Sequence, residues 1–145
     1  MANKFSSRMA RLGDRILKNF ENTIKDAALA GTEEAVMRTP VKTGNARTNW
    51  RISFARPNLA LISAPDTGDR NVNRETASAR ALIAAANKIK GWKMVSGQNI
   101  LIVNPVHYIG DLDKGSSTQA MEGMSLFAIA AIKDKLRKGR LLRGN

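Results

Sequence analysis

Residues 6–38 read SSRMARLGDRILKNFENTIKDAALAGTEEAVMR, and residues 39–50 follow as TPVKTGNARTNW. In the first stretch Met9, Leu12, Ile16, Phe20, Ile24 and Ala27 or Ala28 recur at steps of three and four. That period predicts an amphipathic helix over 6–38 with one adhesive face. Ser6 or Ser7 can cap its start. Acid-to-base pairs four residues apart, Asp14 with Lys18, Glu21 with Lys25 and Glu34 with Arg38, add a few tenths of a kcal/mol each, about 0.3–0.5. Pro40 ends the helix, because the residue before a proline is pushed out of the helical region. Gly31 leaves open whether there is one helix or two. A continuous helix of about 33 residues is a rod of roughly 50 Å. Such a rod is longer than a small compact body needs, and the surplus points to packing against another subunit.

Working outward, residues 39–45 read as a loop. Residues 47–55 place Trp50, Ile52 and Phe54 in alternation with Asn49, Arg51 and Ser53, the two-residue period of a half-buried strand. Pro57 and Asn58 mark a turn, and 59–64 give a second strand and so a hairpin. After a polar loop over 65–73, Asn73 can cap a helix over 74–90 that ends at Lys88, Lys90 and Gly91. Residues 98–103 form a short β-branched strand, and 92–95 are a candidate fourth. A turn-rich stretch covers 104–119. Ser116 and Gln119 have the spacing of a capping box for a last helix that runs to about 138. The expected architecture is therefore α+β: a long N-terminal helix, a small, mostly antiparallel sheet of three to four strands, and two further helices.

Length and composition narrow the function. The chain has 145 residues, 43% hydrophobic and 25% charged, which fits one globular domain over 1–145 with a flexible basic tail at about 139–145. Without cysteine it has no disulfides, thiolate metal sites or cysteine nucleophile. No apolar run approaches the roughly 20 residues that span a bilayer, so no membrane partner is expected. The N-terminal residues Lys4, Arg8, Arg11 and Arg15 lack the apolar block of a secretory signal, and the chain is expected to stay inside the cell that makes it. The net charge of +12 favours an anionic partner, either nucleic acid or an acidic protein surface.

Two loop-centred motifs carry a family resemblance. The first is Pro40, Val41, Thr43, Gly44, Arg47 and Trp50, which resembles the P-V-x-T-G-x-A/L-R-x-x-W pattern after the first helix of phage tail-completion, or head-tail neck, proteins. The second lies in 104–123, where Tyr108, Ile109, Leu112, Gly115, Ser117, Gln119 and Ala120 match that family's N-x-x-x-Y-I-x-x-L-x-x-G-x-S-x-Q-A stretch. Met121 and Ser116 depart from it, standing where the family often has proline and an aromatic. With the leading and closing helices, the resemblance covers most of the chain. It implies a structural protein of the virion neck, assembled in the host cytoplasm, without catalytic activity, cofactor or metal. It further implies a ring of six or twelve copies between portal, adaptor or head-completion proteins and tail-terminator or tail-tube proteins, with DNA in the channel as a further candidate contact.

The same residues read physically without the family. Pro40 fixes one backbone angle and Gly44 permits positive φ, which suits a tight corner between helix and strand. Thr43 can hydrogen-bond locally, and Trp50 is a large core anchor. Fold-setting corner and partner contact both fit these loops. His107, with Asp111 and Asp113 nearby, sketches a hydrolytic site but lacks the orienting group that a general base needs. Asp111, Asp113 and Glu122 have the spacing of a calcium loop, yet Ser116 replaces the glycine at its bend. The basic run of Lys133, Lys135, Arg137, Lys138, Arg140 and Arg143 is either a well-made helix end or a contact with DNA or acidic protein. The rival function is a sequence-nonspecific DNA-binding protein, whose isolated monomer binds duplex with steep salt dependence.

Overall fold

The computed structural model describes residues 3–41, 44–115 and 123–139. Helix α1 (Lys4–Arg38) is a single helix of 35 residues. It begins earlier than the serines suggested, because Asn3 caps it by accepting from the Phe5 amide at 3.1 Å. A very short helix α2 (Asn45–Thr48) follows, then strand β1 (Arg51–Phe54), helix α3 (Arg70–Lys90), a single 3-10 turn at Met94–Ser96, strand β2 (Ile100–Val103), a short α4 (Ile109–Asp113) and helix α5 (Met124–Lys138).

The structure is mixed helix and sheet, mostly helical, and the sheet among the described residues has two antiparallel strands, not three to four. Arg51 pairs with Val103, Ile52 with Ile102, Ser53 with Leu101 and Phe54 with Ile100. The expected strand at 59–64 is irregular chain instead, with Leu59 and Leu61 exposed. Its docking shows why no ladder is needed. The Asn49 carboxamide donates to the Ile62 carbonyl (2.9 Å) and accepts from the Ile62 amide (2.8 Å), doing with one side chain what a neighbouring strand would do with its backbone. The candidate strand at 92–95 runs into the 3-10 turn. There Trp92 is buried and donates to the Gln98 carbonyl at 2.9 Å. Asp69, not Asn73, caps α3: its carboxylate accepts from the Asn71 and Val72 amides.

Packing is organised around the C-terminal half of α1, which lies most extensively against α5 and then against α3. Helix α5 runs antiparallel to it. Phe127 sits beneath the Arg38 guanidinium at 3.5 Å, Ile132 meets Gly31, and Gly139 meets Thr23. Gly31 does not break the helix. A β-carbon there would lie 2.6 Å from Ile132, so the absent side chain is what lets α5 approach. On α3 the residues Ala77, Ala81, Ala85 and Ile89 repeat every four positions and form its buried side. Ala28, Ile52, Ala85, Ile89 and Trp92 make the central cluster, with Ile24, Leu29, Phe54, Ile100 and Ile102 around it.

Candidate functional site

The first motif is a corner built on the last turn of α1. Thr39 is fully buried: its hydroxyl donates to the Ala35 carbonyl (2.6 Å) and accepts from the Trp50 indole (2.7 Å). Trp50 is only half buried and precedes β1, so it anchors the corner through that hydrogen bond more than through a place in the core. Val41 is buried. Gly44 starts α2 at φ +80, where a side chain would be strained, and stands where a β-carbon would touch Ala77 at 3.4 Å.

Arg47 lies in α2, not in a strand as the alternation suggested, and is buried. Its guanidinium donates to the Thr39 carbonyl (2.6 and 3.1 Å), the Met37 carbonyl (3.0 Å) and the Ser78 hydroxyl (3.2 Å). Those carbonyls are the ones that α1 leaves unpaired at its C-terminal end, where a cation is also favoured by the helix dipole. Burial, and secondarily the charge of Arg74, pushes its pKa down to about 10, so it stays charged at neutral pH. Arg51 is likewise buried and shifted down by burial, and it donates to the Asn49 side-chain oxygen at 2.9 Å. Among the described residues no carboxylate pairs with either arginine.

The second motif comes to the first across some sixty residues of sequence. Asn45 donates to the Tyr108 hydroxyl at 3.1 Å, and Asn104 donates to the Ala46 carbonyl at 2.7 Å while its own oxygen accepts from the Val106 amide. Tyr108 precedes α4, Leu112 is half buried in it, and Gly115, at φ +83, closes its end. Asp113 then caps α5, its carboxylate accepting from the Ser125 amide (2.8 Å) and from the Ser125 hydroxyl. Thr43, Ser117, Gln119, Glu122, Arg140 and Arg143 lie outside the described residues, as does the capping box expected at Ser116.

Among the described residues, His107, Asp111 and Asp113 share no hydrogen bond with one another. His107 is exposed, with its ring edge-on to Tyr108 at 5.0 Å. Among the described residues no three His, Asp or Glu side chains form a group able to hold a metal, and no helix is long and apolar enough to cross a membrane. An open cleft of about 460 Å³ lies between α1 and the end of α3, lined by Asn19, Thr23, Lys25, Asp26, Ile89 and Lys90 among others.

The surface carries the features that sequence reading only half resolved. From Lys4 to Phe20 no residue of α1 is buried. Phe5, Met9, Leu12, Leu17 and Phe20 are exposed from 38% at Leu12 to 67% at Phe5, and Ile16 is half buried. On α5, Leu126, Ile129 and Leu136 are also exposed. Of the C-terminal cations, Arg137 and Lys138 are held by Asp134 (3.1 and 2.7 Å), and these two contacts keep that carboxyl below its usual range; Lys133 and Lys135 are exposed. Comparison with protein-family models, with curated proteins and with solved structures finds no match to this chain.

Proposed function

We propose that this chain is a structural subunit of the neck of a tailed phage, which forms a ring of six or twelve copies and joins or completes the tail at the head-tail interface. In this reading it is not an enzyme and takes no cofactor. The observation that carries the reading is the first half of α1. Over about 25 Å, at 1.5 Å for each of its residues from Lys4 to Phe20, none of its residues is buried and it carries an exposed apolar stripe. A monomer gains nothing from that stripe; an assembly buries it.

The chain also offers a second, different apolar face on the outer side of α5, at Leu126, Ile129 and Leu136. One patch meeting another on the neighbour is a heterologous contact, the kind that closes into rings. Burying five half-exposed side chains is worth of order 5 kcal/mol. Association costs roughly 4–15 kcal/mol, so a lone pair is marginal. A closed ring makes one contact more than its association steps, which tips the balance. The motif residues support the reading from inside: Arg47, Trp50, Gly44 and Tyr108 are tied into the corner that follows α1 by their own hydrogen bonds and packing.

The proposed neighbours are portal, adaptor or head-completion proteins on one side and tail-terminator or tail-tube proteins on the other. Imaging of purified phage particles tests the location. A ring of this chain below the portal is the expected result; its absence from mature particles, or turnover of a small molecule by the isolated chain, overturns the proposal.

A further inference from the structure

Helix α1 has a second stripe. Lys4, Arg8, Arg11, Arg15 and Lys18 follow one another at steps of four, three, four and three, which puts all five on one side of the helix. At 100° per residue this side is centred roughly 140° round from the apolar stripe. All five residues are exposed. The i,i+4 pair expected between Asp14 and Lys18 does not form, whereas Glu21 with Lys25 (2.8 Å) and Glu34 with Arg38 (2.7 Å) do. Among the described residues no carboxylate pairs with any of the five. Among the described residues, Arg8, Arg11, Leu12 and Arg15 line an open cleft of about 360 Å³. Elsewhere on the chain the comparable basic run is partly answered at home, by Asp134.

We infer that this stripe is a contact surface for the phosphate backbone of duplex DNA. From Lys4 to Lys18 the helix rises about 21 Å. Over that length of duplex axis the two strands together carry about twelve phosphates, of which a straight rod faces about half, close to the five cations available. Three of the five are arginines, whose planar fork binds phosphate oxygens in pairs. The regularity of the row suits a regular duplex. A single strand is read by stacking, and the aromatics of this half-helix, Phe5 and Phe20, lie on the apolar side. Only the choice of duplex over a lipid surface rests on the proposed assembly, in which a neighbouring subunit covers the apolar stripe. A helix whose apolar side is occupied cannot lay it in a lipid surface, while its basic side stays open to a polyanion.

The test uses the full chain and a fluorescent duplex of arbitrary sequence, with binding followed by anisotropy between about 50 and 200 mM salt. Five phosphate contacts give a log–log slope of at least about −4, at some −0.9 per contact. Changing Arg8→Gln, Arg11→Gln and Arg15→Gln together should flatten the slope by more than half, while Lys133→Gln with Lys135→Gln leaves it in place. An unaltered slope in the arginine variant, or loss of binding in the lysine variant instead, overturns the inference. So does stronger binding of the chain to phosphatidylserine vesicles than to duplex in the same buffer. The native mass of each protein, taken alongside, separates the two ideas: a monomer that still shows the arginine-dependent slope sinks the ring and keeps the DNA contact.

Discussion

Arg47 is held by carbonyls and a hydroxyl, not by a carboxylate, and this decides what its loss should do. Arg47→Met leaves the buried Thr39 carbonyl and the part-buried Met37 carbonyl unanswered at the end of α1. A cost of about 3 kcal/mol is expected, at 1–3 kcal/mol for each stranded group, read as a lower denaturant midpoint with an unchanged slope. Arg47→Lys should recover only part, since a point charge cannot reach three acceptors as the fork does. Glu21 gives a prediction in pH. It accepts from Lys25 and from the Met94 amide, with Lys93 nearby, and the hydrogen bond from Lys25 leads in holding its pKa at about 2. A folded pKa below the ordinary one near 4.5 means stability that is present above that value and lost as pH falls toward 2. Glu21→Gln should therefore lower the melting temperature at pH 7, by a margin that shrinks from about pH 4.5 downward and vanishes near pH 2. At this scale sequence reading found Arg47 through its motif but misplaced it, because a helix of four residues is too short to show a period. It passed over Asn49, whose four hydrogen-bonding positions are all engaged by groups up to 13 residues away; nothing in an isolated asparagine announces that.

Gly31 joins two elements. Gly31→Ala gains helix propensity of about 1 kcal/mol but drives a methyl to 2.6 Å from Ile132, and overpacking costs roughly 1–3 kcal/mol. A net loss of about 1 kcal/mol is expected in thermal unfolding, and stabilisation would show that α5 does not lie so close. The elements differ in how legible they were. Helices α1, α3 and α5 carry several turns of apolar repeats: α1 and α3 stand where that repeat predicts them, with ends displaced by caps at Asn3 and Asp69, whereas α5 starts only at Met124, after Gly123, and not at the expected box of Ser116 and Gln119. Residues 59–64 carry strand-like alternation, but their partner is the Asn49 carboxamide and their leucines face water. Strand β1 is buried at Arg51 and Ser53 as well as Ile52, because 56–65 crosses its polar face, with the Asn58 amide donating to Ser53. Alternation reports the chemistry of two faces and cannot tell that both are covered.

At the scale of the molecule, α1 is two things in one helix. Its second half is the spine on which α3, α5 and the sheet are laid, and its first half is surface. The excess length was legible as a rod too long for its body. That the apolar and basic residues of that half part into separate stripes follows from the same spacing, but only the folded chain shows where the body stops covering them. If the apolar stripe is a subunit interface, the native mass of the purified chain in solution must show it. Wild type should sediment as a closed assembly of six or twelve copies, and Leu12→Glu with Ile16→Glu should sediment as a monomer of unchanged core stability. A wild-type chain that stays monomeric, or a double variant that assembles as well as wild type, contradicts it.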